Sequence, residues 1–213
     1  MISMRTYSNC QMDRHMPRPK SYDREDAIAK ACAVFWEHGY QALGVRELEK
    51  LTGLNQFAIR SEFGGKEGLF LETLAYYSDA AITGELSPML EGGIDEIVAF
   101  LRGLVTPGSM TASDFGCLIV NTGIENARVK SPRLERAIQD YWATLEHHFR
   151  CALKNESDWQ NGPAGIARAD LAKALVSAVM GIHAHNRALR DKTAGLDLVE
   201  LLCTTLLNLR AVK

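Results

Sequence analysis

The chain has little that stops a helix: 6 prolines among 213 residues. Proline removes a backbone donor and breaks helix interiors, so its scarcity leaves long stretches free to coil. No apolar run reaches the ~20 residues that a bilayer-spanning helix needs, and no signal-peptide pattern is present. A cytoplasmic protein with no membrane partner is therefore expected. The 5 cysteines are odd in number, scattered and without C-x-x-C spacing, which reads as reduced thiols and not a disulfide framework. His147 lies four residues from Cys151, and His183 and His185 are two apart. Neither set holds zinc alone, because two protein ligands do not make a site. H-E-x-x-H, a phosphate loop, a nucleophile elbow and a dinucleotide fingerprint are all missing, so the sequence predicts no enzyme, no cofactor and no metal.

Nor does one charge dominate. Lys and Arg number 24 against 26 Asp and Glu, a net charge of -2, which excludes a uniformly basic coat for nucleic acid. The balance is uneven along the chain. Residues 1–66 carry 10 basic and 8 acidic side chains (+2), and residues 67–213 carry 14 and 18 (-4).

What the chain does have is Val45 to Phe70, VRELEKLTGLNQFAIRSEFGGKEGLF. Val45, Leu48 and Leu51 recur at three-residue spacing and make an apolar stripe on a short helix. Gly53 suits the left-handed conformation that ends it, and Asn55 suits the N-cap of the next. Leu54, Ala58, Ile59 and Phe63 fall on the inner side. Gln56, Phe57, Arg60 and Ser61 are left outside, where such groups read base edges or hold phosphates. Gly64-Gly65 breaks the second helix and Lys66-Glu67 opens a third. This is a helix-turn-helix pattern, and a plain helical hairpin is its structural alternative. Just before it, REDAIAKACAVFWEHGY places Ile28, Ala31, Cys32 and Phe35 at i, i+3, i+4 and i+7, one amphipathic helix capped by Asp23 and ended by Gly39.

A helix ending in Gly-Tyr, a helix-turn-helix, a Phe, a glycine break and Lys-Glu-x-Leu-Phe together resemble the N-terminal domain of the TetR family of transcriptional regulators, over about Arg24 to Leu71. The resemblance implies an all-α fold, with about three helices in a DNA-binding domain and about six in a ligand-binding and dimerisation domain. It implies that Arg46, Asn55, Gln56, Phe57, Arg60, Ser61 and Lys66 face a double-stranded DNA operator. Departures from the family pattern fall within this segment. Leu43-Gly44 stands where a hydroxyl pair is usual, Glu49 where a small residue is usual, Phe57 and Arg60 where Gly and Tyr are usual, and Glu62 where His is usual. A second segment, FGCLIVNTGIE from Phe115 to Glu125, resembles one branch of the same family, which includes redox and electrophile sensors. Cys117 sits there at a helix start, where the helix dipole lowers a thiol pKa.

The expected organisation is a tail over residues 1–20 carrying Arg14, His15, Arg18 and Lys20, a helix-turn-helix domain over 21–66 and a helical regulatory domain over 67–213. In the last, Lys66 to Ile82 reads as the linking helix and Asn155 to Gly165 as a polar loop. Leu175, Val179 and Ile182, with Leu198, Leu201, Leu202, Thr205, Leu206 and Leu209, form apolar faces on the last two helices, suited to a four-helix homodimer interface. Phe100, Leu104, Cys117, Asn121, Trp142, Met180 and His183 are the candidates for lining an effector pocket, mostly apolar with a few polar groups. The expected protein is a ligand-responsive repressor that binds a palindromic operator as a homodimer and leaves it when a small molecule binds. The alternative is a helical enzyme or metal-binding bundle that mimics a helix-turn-helix.

Overall fold

A computed structural model describes residues 22–109, 111–157 and 166–209. The expected tail over 1–20 and residues 158–165 of the polar loop lie outside them. Among the described residues the regular structure is helical. The α-helices are α1 (Arg24–His38), α2 (Val45–Thr52), α3 (Gln56–Phe63), α4 (Lys66–Ala81), α5 (Ile94–Gly103), α6 (Leu118–Val129), α7 (Pro132–Asn155), α8 (Arg168–Leu189) and α9 (Leu196–Leu207). The all-α expectation holds. None of these helices is long and apolar enough to cross a membrane.

Local chemistry sets most boundaries. Asp23 caps α1 by accepting from the Asp26 N–H, and Ser131 caps α7 by accepting from the Leu134 N–H at 3.3 Å, one orphan donor satisfied in each case. The linking helix stops at Ala81, one residue short of expectation. A π-helical turn over Ile82–Leu86 and a 3-10 turn over Ser87–Leu90 follow it.

The buried side chains form two clusters. The first joins α1 to α4 and also takes in Cys117, Leu118, Ile119 and Val120 from the start of α6 and Leu134 and Tyr141 from α7. The second is built by α5, α7, α8 and α9 around Phe100, Leu104, Leu145 and Phe149. The half-buried Trp142 packs against both. The helix-turn-helix therefore shares a core with α6 and α7, and α4 is not its sole mechanical link to the helices that follow.

The expected dimer face needs correcting. Leu175, Val179, Ile182, Leu206 and Leu209 are buried within the chain's own core. The periodicity of α8 marks the side that packs against α7 into the chain's own core, not a free one. What faces out is Met180 on α8 and Leu198, Leu201 and Leu207 on α9, beside exposed Ala174, Ser177 and Gly181.

Candidate nucleic-acid interface

The helix-turn-helix is held by short-range bonds. The Thr52 hydroxyl donates to the Leu48 carbonyl at 2.6 Å and accepts from the Leu54 N–H at 3.2 Å, which ties the end of α2 into the turn. Gly53 takes the left-handed conformation at φ 77°, where a Cβ would cost strain. The Asn55 side chain accepts from the Ala58 N–H at 2.7 Å and caps α3. Leu54, Ala58, Ile59 and Phe63 are buried, as expected. Leu48 is buried too, but Leu51 is 43% exposed, so the stripe on α2 is narrower than its spacing suggests. Gly44 occupies the N-cap of α2 without a side-chain bond, and Leu43 is buried in the core. The missing hydroxyl pair is thus replaced by packing. Arg24 binds the unit from outside, pairing with Glu72 at 2.8 Å and lying 5.1 Å from the centre of the Phe63 ring.

The structure places Arg46, Asn55, Gln56, Phe57, Arg60 and Ser61 on the exposed side. Phe57 is 79% exposed, a large apolar group held in water near the start of α3. The Gln56 amide donates to the Glu49 carboxylate at 2.7 Å. Glu49 is therefore engaged within the unit and orients Gln56, whose amide oxygen stays available. The Ser61 hydroxyl donates back to the Phe57 carbonyl at 2.8 Å, leaving its oxygen as an acceptor. Burial, then the adjacent Glu62 carboxylate, push the Tyr22 phenol up to about 12, so Glu62 lies beside Tyr22. Lys66 is less free than its neighbours. Its ammonium sits 4.4 Å from the centre of the Tyr40 ring, and burial pulls its pKa down while Glu125 pulls it up.

Glu125, on α6, is a residue that sequence reasoning missed. Its carboxylate accepts from the Tyr40 N–H at 3.2 Å and the Gln41 N–H at 2.7 Å, and its carbonyl accepts from the Gln41 side chain at 3.1 Å. Gly39 leaves room for this carboxylate, because a Cβ there would run into Glu125 Oε1. A second tie lies nearby. The Trp36 indole donates to the Gly116 carbonyl at 2.9 Å, and Arg187 of α8 donates to the carbonyls of Trp36 at 3.3 Å and Phe115 at 3.0 Å. Both ends of this seam are polar groups with no periodicity of their own, so no local pattern announces them.

The seven effector candidates do not line one cavity. Phe100 and Leu104 are packed in the second cluster, Cys117 lies in the first, and Met180 is 38% exposed. Asn121 and His183 are buried. Asn121 donates to the Phe115 carbonyl at 2.8 Å, and neither its carbonyl oxygen nor His183 Nδ1 has a hydrogen-bond partner among the described residues. Cys117 does not have the lowered pKa expected of a helix start. Its burial outweighs the Tyr77, Val120 and Ile119 donors and pushes the thiol up. His147 Nε2 and Cys151 Sγ approach to 3.6 Å, and among the described residues no group of three or more His, Cys, Asp or Glu could hold a metal.

Residues 27–73 match the family model described as "Bacterial regulatory proteins, tetR family". The chain is 40% identical over 76 residues to the HTH-type transcriptional repressor ComR of Escherichia coli K12, covering 36% of each. It is 29% identical over 135 residues to the HTH-type transcriptional repressor AcnR of Corynebacterium efficiens, covering 63% of this chain and 66% of that one. These matches thus span less than two thirds of either relative. Solved structures extend the likeness in fold. Reduced NemR of E. coli superposes with a TM-score of 0.70 at 20% identity, covering 89% of this chain and 97% of that one. A cysteine mutant of the TetR family regulator CifR, complexed with 26bp double-strand operator DNA, gives 0.70 at 22% identity, covering 88% and 98%. The helix-turn-helix region, residues 27–73, is thus a TetR-family DNA-binding domain by direct match, and the helical fold is shared along nearly the whole of such regulators.

Proposed function

We propose that the chain is a DNA-binding transcriptional repressor, acting as a homodimer on a near-palindromic operator and released by a small molecule. The observation that carries the DNA-binding part is Phe57, 79% exposed on a helix that offers the polar Gln56 and Ser61 and the cationic Arg60 around it. An apolar ring beside hydrogen-bonding groups, on a helix presented by a tight turn, suits thymine methyl groups and base edges in the major groove. Arg46 and Arg60 supply phosphate attraction. The repressors named among the relatives and the CifR complex with operator DNA support the same reading.

Two recognition helices of a two-fold dimer read inverted half-sites about 34–36 Å apart. The outward leucines of α9 and the small residues of α8 offer the surface for that dimer. Effector release requires a ligand that prefers a conformation in which the recognition helices no longer match this spacing. Footprinting on DNA flanking the chain's own gene tests the proposal. An inverted repeat protected in wild type, with Arg60→Ala weakening binding and lowering the salt slope by about one, is expected. Protection of a single half-site by a monomer overturns the dimer, and no protected site overturns the repressor.

A further inference from the structure

A cavity of about 250 Å³ opens between α1 and α4. Its lining combines small side chains, Ala29, Ala33 and Ala80 among them, with the aromatic Trp36, Tyr76 and Tyr77. Trp36 and Tyr77 meet edge to face with ring centres 5.2 Å apart, and the Trp36 indole is pinned by its bond to the Gly116 carbonyl. The aromatic wall is therefore set before any ligand arrives. Glu85, in the π-helical turn after α4, is the only formally charged residue among the described residues of the lining. It is half-buried and has no ion pair or hydrogen-bond partner among the described residues. Among the described residues no Lys, Arg or His lines the cavity.

We propose that this cleft is the effector site and that its ligand is a compact, largely apolar organic cation. Aromatic faces attract a desolvated cation through the ring quadrupole, and one carboxylate in the lining, without a partner among the described residues, completes the charge. An anionic ligand would meet Glu85 with nothing to neutralise it. A neutral apolar ligand would fit the walls but cover the carboxylate and leave it unpaired, which is costly. Regulation by this site rests on the repressor reading above; occupancy of the cleft does not. The coupling is direct. α1 leads through the Tyr40–Gln41 turn into α2, and α4 packs against α3, so a wedge between α1 and α4 changes the angle at which α2 and α3 are presented.

The probes are benzyltrimethylammonium and neopentylbenzene, which share a shape and differ by the charge, titrated calorimetrically into the full chain without DNA. The cation should bind about ten-fold more tightly than the hydrocarbon, the scale of a partly desolvated cation–π and carboxylate pairing. Glu85→Gln should bring the two level. Ala33→Trp, which adds its ring from an exposed position, should abolish both at an unchanged melting temperature. Absence of cation binding, or equal binding to wild type and both variants, overturns the site. A fluorescent operator fragment then reads regulation: the cation should weaken wild-type DNA binding about ten-fold and Glu85→Gln hardly at all. Cation binding with the expected sensitivity but no effect on a measurable DNA affinity overturns the effector role. Failure of the chain to bind any DNA counts instead against the repressor reading and leaves the calorimetric result standing.

Discussion

Glu125 is the residue whose removal tests the architecture most directly. It lies 84 residues beyond Gln41 and holds the turn from α1 to α2 by three hydrogen bonds, two of them to its carboxylate. Bonds to a charged group are worth about 1.5–3 kcal/mol each when shielded. Here the carboxylate and Tyr40 are half-buried and Gln41 is exposed, so water can replace part of each contact. A loss of about 2 kcal/mol is expected for Glu125→Ala, below the sum of two shielded charged bonds. Glu125→Gln keeps an acceptor but loses the charge, and should cost about 1 kcal/mol. With a urea dependence of about 2 kcal/mol per molar, the midpoints should fall by about 1 M and about 0.5 M. Amide exchange supplies the local readout. Tyr40 and Gln41 should exchange faster in the Ala variant, and the interior of α3 should be unchanged. Gly39→Ala should imitate the effect from the other side, since its Cβ displaces the same carboxylate. A midpoint shift under about 0.25 M, the range of an ordinary surface substitution, would falsify the view that this seam is structural.

The remaining predictions concern pH, assembly and thiol chemistry. Burial pushes the His183 imidazole down to about 4 from an ordinary 6.5. The unfolded chain then binds the extra proton between those values, so the stability contributed by neutral His183 is whole above pH 6.5 and is lost as pH falls towards 4, by about 3 kcal/mol. His183→Leu should remove that part of the acid slope, and identical slopes in the two proteins would show that His183 is not buried neutral. Leu201, 64% exposed on α9, should lie in the dimer interface. Leu201→Lys should convert dimer to monomer in sedimentation, and an unshifted dimer would place the interface elsewhere. In a Cys10→Ser background Cys151 should be the fast thiol towards a disulfide reagent, because Cys32, Cys117 and Cys203 are buried. A Cys117 that reacts as fast in the folded protein would restore it as a sensor.

The helix-turn-helix was legible because its determinants are local. A glycine that takes the left-handed conformation, an asparagine that caps, and apolar residues three and four apart fix α2 and α3 within a few residues of themselves. Asn55 and Gly53 behave as their positions implied, and Gln56, Phe57, Arg60 and Ser61 face out together. Periodicity is weaker on the question of what covers an apolar face. It marked α8 correctly as amphipathic, but the partner of Leu175, Val179 and Ile182 is the same chain. It also overcounted α2, where Leu51 is left half in water.

The seam between the helix-turn-helix and the later helices α6 and α8 is the least legible part, for a physical reason. Its contacts join Trp36 to Gly116, Gln41 to Glu125, and Arg187 to Trp36, across 80, 84 and 151 residues. Each is a single polar group meeting a backbone atom, so no repeat, stripe or cap in the sequence betrays it. On the proposed reading these contacts would decide how a signal travels. α6 is tied by Glu125 to the turn that aims α2, and its first residues lie in the same core as α1 and α4. A displacement of α1 against α4 is therefore opposed at both its faces, by α4 packing on one and by the Glu125 and Arg187 ties on the other. For an effector to move the recognition helix, its differential binding between the two conformations must exceed the cost of loosening those ties. Weakening the seam, as in Glu125→Gln, lowers that cost. It should make the operator easier to release at a given effector concentration even as it makes the protein less stable.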